Sequence, residues 1–84
     1  MLKEVLQKLE EKGYRLWYSC RFKYAQVYNK RGNAVIEIKE YKNKNDLLIL
    51  IYDDDLVLID DWACMIKLFT VDEIVNEIVN YLEA

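Results

Sequence analysis

Apolar residues recur at Leu2, Val5, Leu6 and Leu9, with Lys3, Glu4, Gln7, Lys8, Glu10, Glu11 and Lys12 on the remaining positions. Spacing of three and four predicts an amphipathic helix over about 2–12 that rests one stripe on a core. Gly13 follows at once and suits the left-handed position past a helix end. Glu4 and Lys8 stand one turn apart and are expected to pair.

From Tyr14 the period drops to two. Tyr14, Leu16, Tyr18 and Cys20 fall on one face of a first strand, opposite Arg15, Trp17 and Ser19. In a second strand Phe22, Tyr24, Gln26 and Tyr28 oppose Lys23, Ala25, Val27 and Asn29. Lys30-Arg31-Gly32-Asn33 carries a hairpin signal, because glycine and asparagine tolerate positive φ. The third strand places Ala34, Ile36 and Ile38 inward and Glu37 and Lys39 outward, with Tyr41 continuing the outward face. Lys42-Asn43-Lys44-Asn45 is a polar turn.

Two unbroken apolar runs follow, Leu47–Tyr52 and Leu56–Ile59, with aspartate clusters beside them. Runs of this kind suit strands buried on both faces, and the aspartates suit turns. The stretch 62–69 fits a helical face through Trp62, Met65, Ile66 and Phe69. It also fits a strand through Trp62, Cys64, Ile66 and Leu68. A strand is preferred, because Thr70-Val71-Asp72-Glu73 just beyond it matches a capping box, with Phe69 and Ile74 placed as a hydrophobic staple. Val71, Ile74, Val75, Ile78 and Leu82 are the apolar stripe of the closing helix.

The predicted order is helix, strands, helix. Short connections favour strands pairing in sequence. The expected fold is therefore α+β and two-layered: an antiparallel meander of five to six strands flanked by N- and C-terminal helices, forming one domain over 1–84.

Composition changes this picture in three ways. Of the 84 residues 54% are apolar, more than a chain of this size readily hides, so a homodimer is expected. The net charge of −3 conceals an asymmetry: residues 1–45 hold eleven Lys/Arg against five Asp/Glu, whereas 46–84 hold only Lys67 against ten. No apolar run approaches the roughly 18 residues of a membrane span, and the N-terminal stretch reads as a charged amphipathic helix rather than a secretory leader. A cytoplasmic protein with two reduced thiols, Cys20 and Cys64 as small core residues, is the expectation.

The chemistry is narrow. There is no histidine, so the commonest general base and transition-metal ligand are missing. Gly13 and Gly32 are the only glycines, which excludes a glycine-rich phosphate loop. No cofactor is expected. Three function classes remain.

The leading one is a small, non-enzymatic acidic protein that binds a protein partner with a basic surface. Asp53, Asp54, Asp55, Asp60, Asp61 and Trp62 are its candidate contacts. Short, acidic α+β inhibitors and accessory proteins of viruses and mobile elements share this general style. The second class is nucleic-acid binding by the Tyr/Lys/Arg-rich strands of 14–44, using Arg21, Lys23, Lys30, Arg31, Lys42 and Lys44 with interleaved aromatics. The third is a metal-dependent nuclease. Glu37-Ile38-Lys39 has the spacing of the Glu-x-Lys element of restriction-like nucleases, but those also place an acidic metal ligand on a preceding strand, and no aspartate occurs before Asp46.

Overall fold

The computed structural model describes residues 1–41, 46–65 and 68–84, the side chains of Cys64 and Met65 excepted. Helix α1 (Leu2–Glu11) leads into strands β1 (Leu16–Ser19), β2 (Tyr24–Tyr28), β3 (Ala34–Tyr41), β4 (Asp46–Tyr52) and β5 (Leu58–Met65), and helix α2 (Val71–Leu82) closes the order. All neighbouring strands are antiparallel and lie in chain order, so β1 and β5 are the two edges of a five-stranded sheet. This is the α+β arrangement that the patterning predicts.

The helices form where the local signals place them. In α1 the buried residues are Leu2, Val5, Leu6 and Leu9. Gly13 takes φ +93, and the N–H groups of Gly13 and Tyr14 donate to Glu10 O and Leu9 O. That pair of bonds is a Schellman ending, with Tyr14 and Leu9 both buried as its apolar contact. In α2 the Thr70 hydroxyl accepts from Glu73 N–H at 3.2 Å and Thr70 N–H donates to Glu73 Oε1 at 2.9 Å, the complete capping box. Lys8 does not settle on Glu4. Its ammonium meets Asp72 Oδ1 at 2.6 Å and ties α1 to the first turn of α2.

Both helices pack on one face of the sheet, against Ala25, Val27, Ile36, Ile38, Leu47, Ile49 and Ile51. Among the described residues no helix covers the other face. The β4 run is therefore not buried on both sides: Leu47, Ile49 and Ile51 are buried, while Leu48 and Leu50 are half-exposed on the open face. An unbroken apolar run marks two-sided burial only where a second layer exists to supply it.

Two bulges refine the pattern. Tyr28 pairs with Ala34 and Val27 with Ile36, so Val35 is an extra residue and turns inward beside Ile36. Ala34, expected inward, opposes Tyr28 on the open face. On β5, Tyr52 pairs with Leu58 and Ile51 with Asp60, leaving Ile59 as the extra residue.

The larger correction is at 56–65. Leu56–Ile59 is not a core strand: Leu56, Val57, Leu58 and Ile59 are 50–59% exposed. Asp60 and Asp61 do not form a turn but lie inside β5, which runs through to Met65. What reads as two short strands is one long edge strand, which makes the count five rather than six. The preference for strand over helix holds for 62–65 but not for Leu68 and Phe69, which lie in no strand; residues 66–67 lie outside the described residues. Cys20, expected in the core, is exposed in the β1–β2 turn. The Cys64 side chain lies outside the described residues.

Candidate functional site: an acidic, aromatic-floored groove at the sheet edge

The six candidate partner-contact residues separate into two groups. Asp53 organises the β4–β5 hairpin: its Oδ1 accepts from Asp55 N–H and Val57 N–H, both at 2.9 Å. The hairpin tip puts Leu56 at φ +61. Asp54 joins this hairpin to the β2–β3 hairpin. Its Oδ1 accepts from Asn29 Nδ2 at 2.7 Å and Asn33 Nδ2 at 2.8 Å, and its Oδ2 meets Arg31 Nε at 2.8 Å. These donors hold the Asp54 carboxyl at about 2, below the usual range. Asn29 is buried and its own Oδ1 accepts from Arg31 N–H and Asn33 N–H, closing the network. Asp53 therefore shapes its own loop, and Asp54 holds two loops together.

Asp60, Asp61 and Trp62 come together with residues of α2. They line a groove of about 560 Å³ between β5 and α2, completed by Phe69, Glu73, Asn76, Glu77 and Tyr81. The β5 register explains which side each residue takes. Trp62 opposes Ile49 and Asp60 opposes Ile51, both core-facing, so these two side chains lean toward α2; Asp61 opposes Leu50, so its side chain takes the open-face side and it borders the groove at the strand edge. Trp62 packs edge-to-face on Phe69, ring centroids 5.2 Å apart at 84°. Tyr81 Oη donates to Asp60 Oδ2 at 2.6 Å, and this bond, with the nearby negative charge, raises the Tyr81 pKa. Asp60 Oδ1 accepts from Asp61 N–H at 2.8 Å.

The groove thus has an aromatic floor and carries four carboxylates. Among the described residues none that lines it is basic. Glu73 is partly committed to the helix cap, and Asp60 to Tyr81 and Asp61 N–H. Asp61 and Glu77 have no such role among the described residues. A site of this composition favours a cation, which gains from the carboxylates and from the ring faces together.

Sequence reasoning located Asp60, Asp61 and Trp62 but missed Glu77 and Tyr81. A signal for them exists: Glu73, Glu77 and Tyr81 recur at four-residue steps, a stripe beside the apolar one on α2. Nothing in the chain says that β5 lies alongside that stripe.

The nucleic-acid candidates scatter. Arg21 and Lys23 sit at the β1–β2 turn, with the Arg21 guanidinium 5.4 Å from the Phe22 ring centre. Lys30 and Arg31 sit at the β2–β3 hairpin, paired with Glu83 and Asp54. Lys42 and Lys44 lie outside the described residues. The interleaved aromatics are better gathered: by register Trp17, Tyr24, Tyr28 and Tyr41 share the open sheet face with Lys39. Glu37, the nuclease candidate, is on the same face and is hydrogen-bonded by Tyr52. Among the described residues no three acidic or sulfur side chains form a cluster able to hold a metal ion. No described helix is long and apolar enough to cross a membrane.

No family model, curated protein or solved structure matches the chain.

Proposed function

We propose that this chain is a non-enzymatic binding module whose groove between β5 and α2 receives a basic surface of a protein partner. The observation that carries this reading is that Asp60, Asp61, Glu73 and Glu77 line one groove with Trp62, Phe69 and Tyr81, with no basic residue among the described residues of the lining. Opposite charges on the two surfaces steer encounter and fix orientation. A basic surface covered in this way is closed to nucleic acid, so the reading includes an accessory or inhibitor role of the kind small virus-encoded proteins perform, in the cytoplasm.

The test is a fluorescence-anisotropy titration with three probes: a lysine-rich peptide, a glutamate-rich peptide of equal length and a single-stranded oligonucleotide. Binding of the lysine-rich peptide alone, lost on Asp61→Lys with Glu77→Lys, is the expected result. Equal affinity of that double variant and the parent chain would overturn the reading.

A second reading is favoured by one observation, the grouping of Trp17, Tyr24, Tyr28 and Tyr41 on the sheet face that no helix covers. Bases stack on such a surface, and Lys39 supplies a phosphate contact. Arg15 already lies over the Tyr28 ring at 4.8 Å. Oligonucleotide binding that weakens steeply with salt and fails in Tyr24→Ala would make this the working function.

A further inference from the structure

Strand β5 is a long edge with an unusual surface. Among the described residues its outer side has no neighbouring strand. It is eight residues long, and its sequence contains neither proline nor lysine, two common devices for blunting an edge. Leu56 and Val57 precede it and Leu58 and Ile59 begin it, all four exposed and apolar, and it continues into the acidic groove. Leu56 occupies left-handed backbone space, where a glycine is easier, and yet presents its side chain to solvent.

From these features we infer that the β5 edge binds an extended segment of the partner by strand addition, with alternate lysine or arginine side chains entering the groove. This inference rests on the binding reading above and names its mode. In a paired strand every second side chain points to the same face. An added strand would therefore direct one set of residues toward Trp62, Asp60, Tyr81 and Glu77 on the helix side, and charge complementarity requires that set to be cationic. Main-chain bonds to β5 would supply affinity and the groove specificity.

The charges also say what the edge refuses. A second β5 would bring its own Asp60 and Asp61 against these, and like charges across a strand pair are unfavourable. The β1 edge of a second copy is closer to suitable, being flanked by Arg15 and Arg21. But its helix-side residues are Leu16 and Tyr18, which bring no cation to the groove. Besides the bulge at Ile59, β5 is guarded locally by Asp60 Oδ1 on Asp61 N–H, a carboxylate that an incoming lysine can draw away.

The experiment uses the full chain and a fluorescein-labelled seven-residue peptide of alternating lysine and valine, in three forms: unmodified, N-methylated at the lysines, and N-methylated at the valines. In a strand all lysine amides point one way and all valine amides the other. Strand addition therefore predicts that one methylated form loses about tenfold or more in affinity while the other binds like the parent, since only one set of amides faces β5. Loss of binding on Asp61→Lys with Glu77→Lys places the peptide in the groove. If the double variant abolishes binding but both methylated forms bind equally, the groove reading stands and strand addition is overturned. If the double variant binds as well as the parent chain, both fall. Concentration-dependent self-association by sedimentation that blocks the peptide would show a second copy as the occupant and would also overturn the inference.

Discussion

Tyr81 Oη donates to Asp60 Oδ2 at 2.6 Å, joining the last turn of α2 to the middle of the edge strand β5. Both residues line the groove, and the bond links its β5 side to its α2 side. In Asp60→Asn the neighbouring negative charge is gone. The Tyr81 phenol is then expected to ionise at lower pH, nearer its ordinary value, in an ultraviolet difference titration. An unchanged titration would mean that the two groups do not meet in solution.

Loss of the capping box should be felt as a loss of fold stability. Thr70→Ala removes the acceptor for Glu73 N–H at the start of α2, and the expected cost is about 1 kcal/mol in a urea titration. Because α2 forms one wall of the groove and Glu73 lines it, peptide affinity should fall as well, even though Thr70 itself is not in the lining.

The one-sided sheet makes a contrast between neighbours on β4. Ile49 is fully buried and Leu48 half-exposed on the open face. Ile49→Ala is expected to cost about 3 kcal/mol, and Leu48→Ala about 1 kcal/mol. Comparable losses in the two variants would indicate that something covers the open face in solution.

Two groups give the protein opposite pH limits. The Asp54 carboxyl is depressed to about 2 by Asn33, Arg31 and Asn29, so its contribution is present above the ordinary carboxylate pKa and is lost as pH falls from about 4 toward 2. The Asn29 and Asn33 side-chain amide signals should shift over that window and be insensitive to pH in Asp54→Asn. Tyr14 is raised to about 12 by burial and by its hydrogen bond to Glu83. Its contribution is present below about 10 and lost as pH rises through about 12, because the phenolate must leave its buried place. Alkaline unfolding should begin in this range and lose that component in Tyr14→Phe.

Leu56 at φ +61 provides a test of the hairpin tip. A leucine pays roughly 1 kcal/mol to hold this conformation and a glycine does not. Leu56→Gly should therefore leave the melting temperature unchanged or higher. If the exposed run 56–59 takes part in binding, the same variant should bind the lysine–valine peptide more weakly.

The sequence by itself determined what depends on neighbours along the chain. Helix α1 follows from the stripe Leu2, Val5, Leu6 and Leu9, and its ending from Gly13. The start of α2 follows from Thr70 and Glu73, and the β2–β3 hairpin from Gly32, whose φ is +88. Alternation in 14–41 and short connections were enough for an antiparallel meander. These features are local, with bonds that span a few residues, so residue type and spacing carry them.

Tertiary structure decided everything that depends on which surfaces meet. Leu47–Tyr52 and Leu56–Ile59 look alike as apolar runs, yet the first crosses the sheet centre and the second is exposed, because only one helical layer exists and β5 lies at the edge. Asp54 and Asp61 look alike as turn aspartates. One is consumed by Asn29, Asn33 and Arg31 from another hairpin, and the other borders a groove. The groove pairs Asp60 with Tyr81, 21 residues apart in the chain. Its charge and its aromatic floor are properties of the approach of β5 to α2, and that approach is set by burial of Ile74, Val75 and Ile78 against the sheet, a collective effect that no spacing rule encodes.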